Sequence, residues 1–453
     1  MRVLKFGGTS LADHQRIEEA ARLIRTAATE TRVLVVTSAM AGVTNRLEAL
    51  VDNATSVCSE WTEEVEAIKS RHLDVLATLP ATCREPSTHS IEAVIEDLRV
   101  DLGNLRTDPA DQDEIRDRVM AVGERLSVQL VAAILESAGC AARVVDAADL
   151  VVTDSSFGEA RVDFEATRRR CGRLLEGRKN ATPIVTGFIG ADPYGRTTTL
   201  GRGGSDYSAA VLGAALDAER VEIWTDVDGV LTAPPRLVPG VSSIPWLSYE
   251  EAAELSFFGA KVIHPQTVRP LAERGIPIHV RNTLAPARRG TRIAAQPGTK
   301  SRVVAVSAFE DVTVIQLRGW IQWAPSEVLM SCRASSDGTT LLAVPTLRTE
   351  SVIERLREEE GRPLEHHYPA STVTLVGHDI ALQPWVAGRA LESLARRGIA
   401  VRSFAAGAGP HTVTILVNRE DLETALCTIH GALMLDRESA DVGRKDLRQV
   451  PAA

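Results

Sequence analysis

Apolar positions along the first three hundred residues follow two rhythms that alternate. Short runs of consecutive apolar or β-branched residues, the pattern of a strand buried on both faces, give way to stretches where apolar residues return every three or four positions. "RVLKF" (2–6) is the first run. Ile17, Ala20, Ala21, Ile24 and Ala28 form the helical stripe after it, with Ser10 and Asp13 as candidate caps. "RVLVVTSAMAG" (32–42) predicts a second buried strand and a small-residue turn, with a helix from about Thr44. "RVMAVGERLSVQLVAAILESAG" (118–139) predicts a strongly apolar helix opened by Glu124 and closed by Gly139. "ARVVDAADL" reads as a strand and turn, and "ATPIVTGFIGADPYGRTTTL" as a strand pair joined by a Pro-Gly turn. "RVEIWTDVDGVLTAPP" reads as a strand running into an acidic loop, and "GIPIHVRNT" as the last strand. Strands alternating with helices over this length predict an α/β fold with a mainly parallel central sheet.

Around "AAQPGTKSR" (294–302) the texture changes to shorter, strand-rich units. "VVAVSAFEDVTVIQLRG", "TTLLAVPT" and "STVTLVGHDI" precede a helix "WVAGRALESLARRG", two strands "IAVRSFAAG" and "HTVTILVN", and a last helix "REDLETALCTIHGALM". The strand–helix–strand–strand–helix order of the later part is that of ferredoxin-like modules, and the earlier part reads as a shortened copy with a poor helix. The tail after Leu435 is charged and reads as frayed.

Composition narrows the function. The 453 residues allow two or three domains, and 44% hydrophobic with 25% charged residues is an ordinary globular balance. A net charge of −9 argues against nucleic-acid or anionic-membrane partners. Six scattered cysteines (Cys58, Cys83, Cys140, Cys171, Cys332, Cys427) include no CxxC pair, which fits a reducing compartment and no structural zinc. With no apolar stretch long enough to span a bilayer and no signal-like h-region, the expectation is a cytoplasmic protein. Basic residues are almost all arginine; lysine occurs only at 5, 69, 179, 261, 300 and 445. A lysine kept in such a chain suggests a need for a compact point charge.

Four glycine- or hydroxyl-bearing turns follow predicted strands: 5–10 (KFGGTS), 38–44 (SAMAGVT), 201–206 (GRGGSD) and 225–229 (TDVDG). Ligands of open α/β sheets sit beyond the C-terminal strand ends, so the four are expected to converge on one cleft. Gly7 and Gly8 allow backbone N–H groups near phosphate oxygens, and Lys5 would neutralise a transferring phosphoryl group. GRGGSD is neither the GxxxxGK[ST] loop nor the GxGxxG turn, and its missing lysine would come from the other strand. Arg202 offers a bidentate fork for a carboxylate, and Asp206 could face Lys5 or the nucleotide's metal. Taken alone, each turn also reads as a tight loop with a helix cap. Glu124 is either a favourable charge at a helix N-terminus or the receiver of a ligand ammonium. His264 reads as structural, and His366-His367 as a solvated loop. No metal ligand set is assigned.

At these residues a family becomes recognisable. "VLKFGGTS", "TSAMAGVTN", "GERLS", "GRGGSDYSA", "WTDVDGV" and "FGAKVIHP" follow the order and spacing of the aspartate kinases of the amino acid kinase superfamily. The resemblance covers 1–295. The segment from "VGHDI" to "IHGAL" resembles that family's second ACT domain. The resemblance implies a three-layer catalytic domain over 1–295 and a regulatory region over 303–440. There a degenerate first ACT-like domain (313–371) would be inserted in the second (303–312 plus 372–440). It also implies transfer of phosphate from ATP, with Mg2+, to the β-carboxylate of L-aspartate. The catalytic pair would be Lys5 and Asp206. Gly7, Gly8 and Thr9 would contact phosphate, and Ser38, Thr44, Glu124, Arg202, Gly203 and Ser205 would form the aspartate pocket. Lys5, Thr225, Asp226, Leu231, Arg236, Lys261 and Val262 would serve the nucleotide. A homodimer or homotetramer through the ACT domains is expected. Pro234 and Leu231 depart from the family's common Asp and Tyr at the adenine end of the nucleotide site. The first ACT-like copy is short and lacks a convincing helix–strand, and "AGAGPHTV" stands where the family has a Ser/Glu/Asn-containing effector loop, so weak or absent feedback inhibition is expected. The alternatives are a paralogous amino-acid kinase and a non-catalytic amino-acid-binding regulator.

Overall fold

The computed structural model describes residues 1–54, 61–105, 111–176, 181–260, 263–295, 302–318, 328–333, 339–360, 364–406 and 409–435. The charged tail after Leu435, read above as frayed, lies outside them. Two compact units form, Met1–Gly229 with Ile263–Ala295, and Val230–Val262 with Gln296–Ala453.

In chain order the first unit starts with β1 (Arg2–Phe6), α1 (His14–Glu30), β2 (Val33–Thr37), α2 (Val43–Ala54), α3 (Thr62–Leu76), α4 (Ala81–Asn104) and α5 (Gln112–Ser137). β3 (Ala142–Val145), α6 (Phe164–Glu176), β4 (Thr182–Thr186), β5 (Ile189–Ala191), β6 (Thr197–Thr199), α7 (Gly204–Ala215) and β7 (Arg220–Thr225) follow. β8 (Trp246–Leu247) and α8 (Tyr249–Phe257) belong to the second unit; α9 (Pro265–Ala272), β9 (Ile278–Asn282) and β10 (Thr291–Ile293) return to the first.

Strands of the first unit lie in the order β3-β4-β2-β1-β7-β9-β10. All neighbours are parallel except β9 and β10. β2 is buried along its whole length, which is why its sequence is an unbroken apolar run. Leu4, Phe6, Val33 and Val35 on one face pack with α1–α5 in one core, while α7 meets β1 and β7 together with α6 and α9. The layers are therefore helix, sheet, helix. α1 starts where Asp13 accepts the Arg16 amide (2.9 Å) and buries Ile17, Ala20, Ala21 and Ile24. α5 is buried on nearly every side, as a helix apolar all round must be. It begins six residues before the apolar stretch at 118–139, so Glu124 sits mid-helix, away from the positive end of the macrodipole. The helix-opening role for Glu124 is thereby excluded.

The second unit continues with β11 (Val303–Arg318), β12 (Met330–Arg333), β13 (Thr339–Pro345), α10 (Thr349–Glu360), β14 (Leu364–Gly377), α11 (Pro384–Arg396), β15 (Val401–Ala406), β16 (Thr412–Val417) and α12 (Leu422–His430). Its sheet is antiparallel, in the order β12-β13-β11-β14-β16-β15. The long strands β11 and β14 pair side by side and serve two halves. One is cored by Ile315, Leu317, Leu342, Val344, Val352 and Leu356, the other by β14, β16, α11 and α12 residues such as Val373, Ile415, Leu394 and Leu426. The first copy has a definite helix after all: α10 buries Val352 and Leu356 four residues apart. His366 and His367 lie on β14 opposite Gln316 and Ile315, so the pair is on a strand and not in a loop.

Candidate active site

Hydrogen bonds lace four strand ends together. Beyond β1, the Gly7 amide donates to Trp224 O on β7 (3.0 Å) and Gly8 O accepts from the Ala41 amide (3.1 Å). Ser38 N, just past β2, donates to Phe6 O (3.1 Å), and Gly187 N, just past β4, donates to Thr37 O (2.8 Å). A Cβ on Gly8 would stand 2.8 Å from Ala39 O, so only glycine lets the turns after β1 and β2 approach this closely. Arg71 of α3 ties them from behind, donating to Ala41 O (2.8 Å) and Ala12 O (3.1 Å). Ser38 and Thr44 are half-buried in this group, and Thr9 is exposed.

Lys5 is 8% exposed, and its Nζ lies 2.5 Å from Asp206 Oδ1 in the first turn of α7. The point charge supplied by β1 therefore faces the GRGGSD turn, as an ion pair spanning two hundred residues of sequence. Beneath lies Glu124, 4% exposed. A Cβ on Gly123 would meet the Ala39 side chain at 2.6 Å, so glycine there lets α5 press against the SAMAG turn. Glu124 accepts from the Ala39 amide and, at 3.3 Å, from Ser205 Oγ. Burial is the largest influence on its carboxyl and lifts the pKa to about 7; the Ala39 amide, Ser205 and Lys5 oppose it. Glu124 Oε2 is buried with no hydrogen-bond partner among the described residues. A buried carboxylate oxygen without a donor is able to receive a cation.

The turn itself bends through Gly203, whose φ of +74° suits glycine. Gly203 sits against His264: an added Cβ would lie 2.9 Å from His264 Cβ. His264 caps α9, accepting from the Gln266 amide at 3.4 Å, in keeping with a structural part. Burial depresses its pKa, Arg202 adds to this, and Asp206 and Glu159 pull the other way. Arg202 itself is exposed. At the end of β7, Thr225 Oγ1 donates to Asp226 Oδ1 (3.1 Å), and Thr225 O accepts from the Thr283 amide (2.8 Å).

Lys5, Gly7, Gly8, Ser38, Glu124, Ser205 and Asp206 are thus drawn together by direct contacts. Leu231 and Arg236 belong to the second unit, Leu231 in a bridge with Ser243 and Arg236 in an ion pair with Glu310. Lys261 and Val262 lie outside the described residues. Sequence reasoning missed two supports. Asp228, in the quoted TDVDG turn, accepts from Asn282 Nδ2 (2.7 Å) and pairs with Arg288. Asp117, 2% exposed on α5, accepts from the Gly158 amide, the Thr199 amide (2.7 Å) and Thr199 Oγ1 (2.8 Å), fixing β6 just before GRGGSD. No motif marked Asp117; it stands in a polar stretch that looks solvated.

Chemically, the group offers a buried cation, glycine-backed amides for phosphate oxygens, and a buried carboxylate seeking a cation. That set suits transfer of a phosphoryl group to a small zwitterionic acceptor.

Comparison with known proteins agrees. The amino acid kinase family model matches residues 1–282, and an ACT domain model matches 373–433. The chain belongs to the amino acid kinase family. Its relatives place it among the aspartokinases. It is 33% identical over 464 residues to lysine-sensitive aspartokinase 3 of Escherichia coli, covering 95% of this chain and 98% of that one. It is 31% identical over 470 residues to the bifunctional aspartokinase/homoserine dehydrogenase of Haemophilus influenzae, covering 98% of this chain and 57% of that protein. The chain spans about half the length of the bifunctional relatives it matches. Among solved structures, that of E. coli aspartokinase III in complex with aspartate and ADP (R-state) superposes with a TM-score of 0.82 at 30% identity, covering 96% of this chain and 99% of that one.

Among the described residues, no helix is long and apolar enough to cross a membrane.

Proposed function

We propose that the protein is an aspartate kinase, transferring the γ-phosphoryl group of ATP to the β-carboxylate of L-aspartate to give 4-phospho-L-aspartate and ADP. The observation that carries this reading is the 2.5 Å pair of Lys5 and Asp206 above a buried, half-satisfied Glu124. The similar E. coli enzyme bound to aspartate and ADP supports the choice of acceptor and nucleotide.

In this reading Glu124 receives the substrate ammonium and Arg202 its α-carboxylate, with Ser38, Thr44, Gly203 and Ser205 lining the pocket. The β-carboxylate, already ionised, attacks the γ-phosphorus; the bond to the β–γ bridging oxygen breaks and ADP leaves, with no proton to be moved. Two anions must approach one another, so fixed positive charge and amide dipoles are the main requirement. Lys5 supplies the charge, and Gly7, Gly8 and Thr9 supply the amides. Asp206 holds Lys5 in place. Mg2+, when bound with ATP, would neutralise phosphate charge, and Asp206 is the carboxylate of this group suited to face it. The nucleotide end rests on Thr225, the last residue of β7, and Asp226 after it, assigned residues in the same unit as Lys5.

The domain division, 1–295 catalytic and 303–440 regulatory with two ACT-like modules, belongs to the same proposal, as does a homodimer or homotetramer through those modules. Feedback inhibition is proposed to be weak. The helix α10 removes one ground for that, and the "AGAGPHTV" loop remains as the other. ADP release measured with aspartate, glutamate, N-acetylglutamate and carbamate tests the substrate. Aspartate is expected to be preferred by at least about tenfold in kcat/KM, the worth of one charge-assisted contact. A preference for another acceptor would reject the reading.

A further inference from the structure

A second cluster of chemistry-bearing side chains lies in the second unit, apart from everything used above. His378 follows the last residue of β14, and His411 precedes β16. These strands are antiparallel neighbours, with Val376 opposite Thr412 and the Gly377 amide donating to His411 O (3.0 Å). Two imidazoles therefore rise from the same end of adjacent central strands. Their rings lie 5.1 Å apart and 28° from parallel. Asp379 comes next in the chain, with Oδ2 3.3 Å from His378 Nε2. One ligand atom from each of the three lies within 4.8 Å of the other two. All three residues are half-buried.

The surroundings favour a cation there. Glu251 and Glu254 of α8 face the same place. Burial raises the pKa of both carboxyls, while His378 and His411 pull Glu251 down and His411 pulls Glu254 down. Glu251 accepts the Ser248 amide in the cap of α8 (2.8 Å), and its other carboxylate oxygen, Oε1, is buried with no hydrogen-bond partner among the described residues. His378 Nδ1 is buried with no hydrogen-bond partner among the described residues. Against His411 Nδ1 stands only the Asp379 amide, at 3.3 Å, long for such a bond. Two imidazoles and a carboxylate, held by paired strands, are the donor set of a borderline-soft divalent ion and not of Mg2+ or Ca2+.

We propose that His378, Asp379 and His411 form a Zn2+ site in the half of the second unit that carries the ACT match, with water completing the coordination. Binding releases whatever protons the imidazoles carry and needs no other reactant.

The test uses the full chain without a polyhistidine tag, stripped with chelator and free of nucleotide. Co2+ is titrated and followed by its visible absorption, Zn2+ is then added in competition, and calorimetry gives the affinities. One equivalent per chain is expected, with Zn2+ displacing Co2+. His411→Asn and Asp379→Asn should each weaken Zn2+ at least about tenfold, since even residues behind the ligands are worth that much. Thermal melting of each variant establishes that it is folded. His378→Gln serves as a third variant if either fails. Absence of stoichiometric binding to the native chain, or unchanged affinity in the folded variants, would overturn the site.

Discussion

Glu124 and Asp206 both lie near Lys5, and their settings give them different behaviour. Asp206 is paired and half-exposed, whereas Glu124 is buried with one oxygen unmet. With a pKa of about 7 against an ordinary 4.5, the folded chain holds a proton on Glu124 that the unfolded chain has released. The native state then binds more protons between these values, so this group lowers stability as pH rises from about 4.5 to about 7, and not beyond. In the proposed reading Glu124 receives the ammonium of aspartate, which requires the ionised form. KM for aspartate should therefore fall about tenfold per pH unit below 7 and level off above it. Glu124→Gln should flatten that profile and raise KM at pH 8 by roughly ten- to a hundredfold, as loss of a charge-assisted bond does; initial rates across pH 6–9 measure both. Lys5→Ala should cut kcat by about 10²–10³-fold with the melting temperature little changed, since it removes a fixed charge from the transition state. The Lys5–Asp206 pairing was legible in sequence because each residue closes or opens a recognisable turn. The depth of Glu124 was not, because the first turns of α5 are charged and Arg118 is satisfied by Asp101 and Glu114, so the polar start of a long helix resembles a loop.

At the scale of elements, the site depends on strand ends held at fixed spacing. Gly8→Ala would drive a methyl into Ala39 O and part the turns after β1 and β2. A fall in kcat/KM of at least about tenfold is expected, seen in steady-state kinetics, with secondary structure by circular dichroism intact. Asp117 accepts three donors that an amide could not all satisfy. Asp117→Asn should cost about 1–3 kcal/mol, read as a lower denaturant midpoint at unchanged m-value. The alternation of β1, β2, β4 and β7 with helices could be read directly, because these buried strands leave short runs rich in apolar residues, broken by single charges such as Lys5 and Glu222. α10 was obscured because, among its residues whose side chains are described, only Val352 and Leu356 are fully buried, in a sequence of glutamates and arginines. β12 was missed because four residues at a sheet edge carry almost no period. His366 and His367 looked like loop because only pairing with β11 reveals them as strand.

At the scale of the molecule, chain order and packing order differ. Val230–Val262 sits between two parts of the first unit in sequence and packs with the second, carrying Leu231, Arg236 and α8 with it. No local pattern announces such an exchange, since strand and helix periods are the same in either unit. The residues proposed for phosphate and acceptor, by contrast, stay within one unit, and the turns that carry them could be recognised as motifs. With "AGAGPHTV" standing where the resembled family has its effector loop, lysine and threonine, singly or together at sub-millimolar concentration, should inhibit little; dose–response curves of ADP release decide this, and strong inhibition would reject it. The central claim is formation of an acyl phosphate on aspartate by the Lys5–Asp206 site. Trapping with hydroxylamine measures it most directly, because an acyl phosphate yields a hydroxamate and inorganic phosphate does not. Aspartyl hydroxamate should accumulate in step with ADP in the native protein and fall to background in Lys5→Ala. ADP release without hydroxamate, or equal hydroxamate from the folded variant, would contradict the account.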